Sequence, residues 1–152
     1  MYPSFWLITH IKGLHEFYLY FLTLNMQTNK YYDHKREDIV ELAVKSGTIK
    51  NVLDIGCGYG KCGQILKSKG AEKVDGIEIS KKAYQEAKQN LDEVILGSAE
   101  DKTLIDQFDL YDCILCADIL EHLIDPWGAL ELYSNHIKDG GRIICSIPNV
   151  RY

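Results

Sequence analysis

The sequence has no long apolar run, no excess of basic residues and no repeat. It holds 17 Lys and Arg against 22 Asp and Glu in 152 residues, a formal net charge of −5. This balance disfavours a broad nucleic-acid surface, which needs a basic patch. No stretch reaches the roughly 18 to 20 apolar residues of a membrane-spanning helix. The start also lacks the basic region and small-residue cleavage site of a signal peptide.

The five cysteines lack the spacing of a metal site or of a disulfide framework. Cys113 and Cys116 make the one C-x-x-C pair, but both lie in an apolar, strand-like run. Side chains alternate between the two faces of a strand, so this pair is predicted to point in opposite directions. We interpret all five as reduced packing residues of a cytoplasmic protein, and they imply no metal.

Residues 1–30 are apolar and aromatic, with charged residues between. Helical spacing of several apolar residues predicts an amphipathic helix here. Three interpretations stay open: a helix that covers the core, a membrane-surface anchor, or residues translated upstream of a true start at Met26. The small number of basic residues disfavours the anchor. The residues at helical spacing are Ile11, Leu14, Tyr18, Phe21 and Leu22.

From Asp33 onward, predicted helices and strands alternate. This alternation predicts a doubly wound α/β fold with one parallel sheet, in the strand order 3-2-1-4-5. We expect a ligand across the carboxyl ends of the first and fourth strands, at the topological switch point. The predicted helices span 35–46, 61–69, 80–91 and 126–137, and the predicted strands span 51–55, 73–79, 93–96, 110–117 and 142–147.

A glycine-rich loop follows the first predicted strand, in the run VLDIGCGYGKCG from Val52 to Gly63. Gly56, Gly58 and Gly60 allow a sharp turn and a close approach of the backbone to a ligand. The loop also fits the dinucleotide pattern G-x-G-x-x-G, which makes an NAD-dependent oxidoreductase the alternative. Asp54 separates the two interpretations. Its carboxylate would repel a pyrophosphate, but it suits a ligand with an ammonium group and a sulfonium.

The loop resembles motif I of the class I S-adenosylmethionine-dependent methyltransferases, and the resemblance extends from about Tyr31 to the last residue. VDGIEIS resembles the family's second strand, which ends in an acid that holds the ribose hydroxyls. LGSAED resembles the segment that contacts adenine, although many relatives have an acid in place of Ser98. YDCILCADILEHLIDP and KDGGRIICSIPNVRY resemble the fourth and fifth strands. The resemblance implies S-adenosylmethionine as cofactor and these binding residues: Asp54, Gly56, Cys57, Gly58, Gly60, Glu78, Ile79, Ser98, Ala99, Glu100, Ala117 and Asp118.

Three polar residues follow the fourth strand at spacings i, i+3 and i+4: Asp118, Glu121 and His122. His122 is our candidate general base for a hydroxyl acceptor. Some quinone-type relatives bind a divalent metal with an acid, acid, histidine cluster of this spacing, so the three are also weak metal candidates. In the remaining interpretation the two acids serve a helix start and His122 packs structurally.

Within the family, the chain most resembles small-molecule methyltransferases of the ubiquinone-biosynthesis type and methyltransferase domains found beside glycosyltransferases. We therefore expect methyl transfer to a metabolite, quinone-precursor or sugar hydroxyl, within a domain over 31–152. The family sheet has seven strands, and this sequence stops after the fifth, so the acceptor side is expected to be incomplete. The fifth strand would then have a free edge that permits self-association. A noncatalytic, methyltransferase-like binding module is a further alternative.

Overall fold

A computed structural model describes residues 5–8, 18–24 and 36–148 of the chain. The strands are β1 (Phe5–Ile8), β2 (Tyr18–Leu24), β3 (Asn51–Ile55), β4 (Lys73–Glu78), β5 (Glu93–Leu96), β6 (Tyr111–Ala117) and β7 (Ile137–Pro148). The helices are α1 (Glu37–Ser46), α2 (Lys61–Ser68), α3 (Lys81–Ala87), α4 (Lys102–Ile105) and α5 (Pro126–Ser134), and a 3₁₀ turn spans Leu120–His122. No helix in these ranges is both long and apolar enough to cross a bilayer.

The strands form one sheet in the order β1-β2-β7-β6-β3-β4-β5. The five strands predicted from the sequence pair in parallel throughout, as β7-β6-β3-β4-β5. Numbered among themselves along the chain, they have the order 3-2-1-4-5. The predicted Rossmann-like α/β fold is therefore confirmed. The chain reverses its direction of winding between β3 and β6, which is where such sheets bind ligands.

Helices cover both faces of this sheet and bury two separate apolar clusters. One cluster joins α1, α2 and α3 to the sheet, and the other joins α4 and α5 to the opposite face. Two residues of β6 that are three positions apart enter different clusters: Cys113 lies in the first and Cys116 in the second. This arrangement confirms the predicted opposite directions of the two cysteines. It also explains the continuous apolar sequence of β6, because both of its faces are buried.

β2 pairs in parallel with β7 over its whole length, and β1 pairs antiparallel with β2. The amphipathic helix predicted for this region is therefore wrong at Tyr18, Phe21 and Leu22, which lie on β2; Ile11 and Leu14 are outside the described residues. Tyr, Phe and Thr favour strands, and the edge of β7 supplies unpaired backbone groups for β2 to bond. The predicted free edge of β7 is wrong for the same reason. The domain boundary near residue 30 stays a prediction.

The other elements agree with the sequence apart from their ends and two short turns. The 3₁₀ turn and the short α4 were not predicted. β7 begins at Ile137, earlier than expected, because it carries a bulge before Arg142 pairs with Cys113. In the bulge Gly140 has a φ of 74°, a backbone conformation that glycine adopts at little cost.

Arg142 joins the start of β7 to the end of α1. Its buried guanidinium donates to the carbonyl oxygens of Ala43 at 2.6 Å and of Thr48 at 2.8 Å. Its Nε donates to the Ser46 hydroxyl at 2.6 Å. The last carbonyls of a helix have no partner within the helix, so an arginine from a distant strand satisfies them here. This contact holds α1 in place, and the cavity described below lies next to the start of α1.

Candidate functional site

A cavity of about 430 Å³ opens at the carboxyl ends of β3, β4 and β6. Its position is the switch point predicted from the sequence, and its volume lies within the usual range for small-molecule sites. The glycine loop, the ends of β4 and β5, and the segment after β6 form its walls. The lining residues are Arg36, Asp54, Gly56, Cys57, Gly58, Tyr59, Lys61, Cys62, Ile77, Glu78, Ile79, Gly97, Ser98, Ala99, Glu100, Ala117, Asp118, Ile119, His122 and Leu123.

The glycine loop needs glycine for two separate reasons. Gly56 has a φ of 68°, and a Cβ there would lie 2.8 Å from the side chain of Ile119. Gly58 has a φ of 54°, but a Cβ there would meet nothing within 4 Å. Gly56 therefore permits close packing against the segment after β6. Gly58 supplies a left-handed turn and leaves open space beside the loop backbone.

Asp54 lies at the end of β3 beneath this loop, and its side chain is 2 % exposed. Its Oδ2 atom is buried without a hydrogen-bond partner. Burial, followed by the nearby charge of Glu78, raises the pKa of the Asp54 carboxyl to about 7. A buried carboxylate oxygen without a donor is costly. The cavity wall is thus chemically suited to a ligand that brings a positive charge and hydrogen-bond donors.

Glu78, at the end of β4, is buried and organises the loop opposite. Its Oε2 accepts the backbone N–H of Gly58 at 2.8 Å, and its Oε1 accepts the N–H of Ser80 at 2.7 Å. A carboxylate offers about four lone-pair positions, so acceptor capacity remains for hydroxyl groups in the cavity. At 9 % exposure, Glu78 is not a freely exposed residue at the strand end.

The segment Ser98 to Glu100 forms the wall beyond β5 and is bonded to α5. The carbonyl oxygen of Ala99 accepts the buried hydroxyl of Tyr133 at 3.0 Å. Burial raises the pKa of the Tyr133 hydroxyl, so it remains a donor at neutral pH. The Ser98 hydroxyl accepts the N–H of Glu100 at 3.2 Å. This wall is therefore fixed to the helix behind it.

Asp118 follows β6 with a φ of 52°, and no other non-glycine residue in the described ranges has a positive φ. Ser146 on β7 donates its hydroxyl to Asp118 Oδ1 at 2.9 Å and accepts the Asp118 N–H at 3.1 Å. Arg36, just before α1, forms an ion pair with the other carboxylate oxygen. A strained backbone held from two sides is typical of a functional site. Sequence patterns predicted neither Arg36 nor Ser146 at this position.

His122 lies on the cavity wall at the end of the 3₁₀ turn and is exposed. His122 is therefore not part of the buried core. In the part of the chain that the structure describes, no three His, Cys, Asp or Glu side chains are grouped so that they could hold a metal ion. The weak metal cluster of Asp118, Glu121 and His122 is therefore not formed. Asp118 lies outside the 3₁₀ turn and bonds Arg36 and Ser146, so the spacing does not place the three on one helix face.

The five cysteines are free thiols, and four of them are buried. Cys57 and Cys62 line the cavity. Burial raises the pKa of the Cys62 thiol to about 12 and that of Cys57 still further. Both are thus protonated and poor nucleophiles at neutral pH, which agrees with packing rather than reactive roles.

Eleven of the twelve residues that the sequence suggested for cofactor binding line the cavity. Gly60 does not; it lies behind the loop as the N-cap of α2, with a φ of 74°. Of the residues that sequence reasoning missed, Arg36 and Lys61 carry charge. Lys61 begins the helix after the glycine loop and could have been found from its position. Arg36 is 18 residues before Asp54, and no local pattern connects the two.

The sheet order, the glycine loop and the acid at the end of β4 together define a Rossmann-like α/β domain of the class I methyltransferase type. A family model described as "Methyltransferase domain" matches residues 26–152. The chain belongs to this family.

Comparisons with single proteins agree with this assignment. The ubiquinone biosynthesis O-methyltransferase of Alkalilimnicola ehrlichii is 31% identical over 105 residues, which cover 66% of this chain and 42% of the relative. The crystal structure of the plantazolicin methyltransferase BpumL, in complex with a monoazolic desmethylPZN analog and SAH, has a TM-score of 0.61 at 21% identity. The aligned region covers 72% of this chain and 46% of the BpumL chain. The crystal structure of magnesium protoporphyrin IX methyltransferase from Synechocystis PCC 6803, with bound SAM, matches with a TM-score of 0.55 at 23% identity. The aligned region covers 67% of this chain and 52% of that chain.

At these identities the two structures establish the fold. The chain spans less than half the length of the curated relatives that it matches.

Proposed function

We propose that this chain binds S-adenosylmethionine in the cavity and takes part in methyl transfer to a hydroxyl group of a small-molecule acceptor. The observation that carries the proposal is the buried Asp54 Oδ2 atom, which has no hydrogen-bond partner at the wall of a glycine-loop cavity. An ammonium group would supply its missing donor. The same carboxylate would disfavour the pyrophosphate of NAD, which argues against the oxidoreductase alternative.

The donor set of the cavity fits the three parts of this cofactor. Glu78 has acceptor capacity for the ribose hydroxyls, beyond its bonds to Gly58 and Ser80. Ile79, Ser98 and Ala99 would form the wall beside the adenine, with the Ser98 hydroxyl in place of the acid common in relatives. Ile79 is 73% exposed and lines the cavity, so its apolar surface is open to a purine face.

The methionine part would lie between the glycine loop and the segment after β6. Asp54 would accept its ammonium group, and Arg36 carries the positive charge on this wall that suits a carboxylate. Gly56, Cys57 and Gly58 would approach it with their backbone, while Ala117 and Asp118 close the other side. The cavity thus offers the Asp54 carboxylate for the cationic group and the Arg36 guanidinium for the anionic one.

The bound cofactor would supply a methyl carbon that a positively charged sulfur activates. The protein then has to align the acceptor and remove its proton, and alignment alone can contribute several kcal/mol. His122 is on the cavity wall and exposed, so it would accept the proton of an acceptor hydroxyl. Transfer to oxygen is supported by relatives whose names describe O-methyltransferases.

The free thiols support a reducing, cytoplasmic compartment.

Calorimetry with S-adenosylhomocysteine and with NADH tests this proposal. We expect S-adenosylhomocysteine to bind and NADH to give no heat. Glu78→Ala should weaken S-adenosylhomocysteine by roughly 1 to 3 kcal/mol, because the ribose hydroxyls lose their acceptor. Glu131→Ala, which removes an exposed acid on α5, is the matched control and should leave binding unchanged.

Binding of NADH without binding of S-adenosylhomocysteine would refute the cofactor assignment. Binding of S-adenosylhomocysteine together with no transfer to a panel of hydroxylated acceptors, in a protein of the relatives' full length, would favour the noncatalytic module instead.

A further inference from the structure

Glu100 lines the cavity, but its carboxylate is already engaged with the protein backbone. Its Oε1 accepts the N–H of Asp125 at 2.8 Å, and its Oε2 accepts the N–H of Ile124 at 3.2 Å. The two amides are consecutive, so one carboxylate holds two neighbouring peptide units with both oxygens. They directly follow His122 and Leu123, which lie on the cavity wall. We call residues 122–125 the acceptor-side loop.

We infer that Glu100 is a positioning residue that fixes the acceptor-side loop, and with it His122, against the wall beside the adenine. The inference deepens the proposed function and rests on it for the role of His122. It revises the sequence-based prediction that Glu100 contacts the cofactor directly. Hydrogen bonds to a charged acceptor are stronger than those between neutral groups, so this contact is a firm connection.

Two further contacts make the connection more than a single pair of bonds. Tyr133 of α5 donates to the carbonyl oxygen of Ala99, the residue just before Glu100. Asp125 is the N-cap of α5, and its side chain accepts the N–H of Gly128 at 3.0 Å. Glu100 therefore holds the N-cap of α5 while Tyr133 holds its last turn. A negative charge beside the start of this nine-residue helix is also favourable.

These contacts connect two walls of the cavity. Residues 98–100 form the wall beside the adenine, and residues 122–125 carry the candidate base. Because Glu100 joins the two, a ligand that orders the first wall also orders the second. We expect S-adenosylhomocysteine to slow hydrogen exchange at the Ile124 and Asp125 amides through this link, although it would not contact them.

Hydrogen–deuterium exchange with Glu100→Gln tests the inference directly. The amide side chain keeps one acceptor oxygen and loses the other, so exchange at Ile124 and Asp125 should become about tenfold faster or more. Glu131→Gln makes the same charge change on the exposed face of α5 and should leave this exchange unchanged. Exchange at the two amides that is equal in Glu100→Gln and the wild type would overturn the inference.

Two further measurements separate positioning from general destabilisation and from cofactor contact. The NMR signal of the His122 ring should shift in Glu100→Gln. The signal of His136, which lies beyond the other end of α5 and bonds the Phe108 carbonyl, should stay. An unmoved His122 signal would overturn the positioning role. By calorimetry, Glu100→Gln should bind S-adenosylhomocysteine within about threefold of the wild type. A loss of more than about tenfold would make Glu100 a direct cofactor contact and overturn the inference.

The proposed function can fail independently of this inference. If the wild type does not bind S-adenosylhomocysteine, the cofactor assignment is lost. The exchange rates and the His122 signal of the free proteins still decide whether Glu100 holds the loop.

Discussion

Asp54 is expected to make cofactor binding and protein stability respond to pH in opposite ways. Its carboxyl is buried without a donor on Oδ2, and burial with the nearby Glu78 charge raises its pKa from 3.8 to about 7. Between these two values the folded protein holds a proton that the unfolded chain has released. Stability therefore falls as pH rises from about 4 to about 7, and the full cost is present above pH 7.

The size of this cost follows from the shift in pKa. A shift of about three units at about 1.4 kcal/mol per unit amounts to about 4 kcal/mol at pH 8, as an upper value. Asp54→Asn removes the charge and keeps the shape, so it should raise the free energy of unfolding at pH 8 by about 2 to 4 kcal/mol. Near pH 4 the gain should be small, because Asp54 is then protonated in the folded state.

Binding should show the opposite trend, since the cationic end of the ligand needs the ionised carboxylate. With a pKa of about 7, the ionised fraction falls about tenfold between pH 8 and pH 6. The affinity for S-adenosylhomocysteine should fall by the same factor. Asp54→Asn should weaken binding at pH 8 by about ten- to a hundredfold, the range for a lost hydrogen bond to a charged group. This variant should also lose the pH dependence.

Urea unfolding and calorimetry at pH 6, 7 and 8 would measure both effects. Asp109→Asn is the control, because it removes a carboxylate from a side chain that is 85% exposed. His122→Gln should keep the pH dependence of binding, because that dependence is assigned to the Asp54 carboxyl. A lower stability of Asp54→Asn at pH 8, or a wild-type pH dependence of its binding, would refute this role of Asp54.

Three further predictions follow from named contacts. Arg142→Met should lower the free energy of unfolding by about 3 kcal/mol in urea titrations, because the carbonyls of Ala43 and Thr48 lose a buried donor. An unchanged urea midpoint would contradict this. Glu78→Gln should lower the pH midpoint of S-adenosylhomocysteine binding, since the Glu78 charge helps to raise the pKa of Asp54; an unmoved midpoint would count against that cause. His122→Ala should reduce methyl transfer roughly 10²- to 10⁴-fold with cofactor affinity nearly unchanged, in a protein of the relatives' full length; activity close to the wild type would exclude His122 as the base.

The sequence predicted the parallel core well because its signals are local. Strand, glycine loop and helix follow one another from Asn51 to Ser68, and each has its own pattern of apolar residues and turns. The strand order then follows from general rules on crossovers and switch points. Residues 1–30 were harder, because aromatic and aliphatic residues at helical spacing also suit a strand that pairs with a neighbouring edge. Periodicity alone could not decide between helix and strand there.

The residues of the candidate site also fall into those that the sequence predicted and those that it did not. Asp54 and Glu78 lie at the carboxyl ends of their strands, and Gly58 lies in the loop after β3. Because the ends of parallel strands meet at one edge of the sheet, their residue types and positions point to a shared site. Arg36 and Ser146 act on Asp118 from segments 82 and 28 residues away. No spacing rule relates such partners, because only the packing of α1 and β7 beside β6 brings them together.

Asp118 and Asp54 each carry an energetic cost at the site. Asp118 keeps a positive φ, which costs energy for a residue with a side chain, because Ser146 and Arg36 bond both of its carboxylate oxygens. Asp54 stays buried beneath a loop whose glycines leave room beside the backbone. The buried Asp54 carboxylate lowers the stability of the domain as pH rises above about 4. A ligand with a cationic group and hydrogen-bond donors in the cavity would compensate the Asp54 carboxylate, which is the physical reason to expect a binding site here rather than a structural cleft.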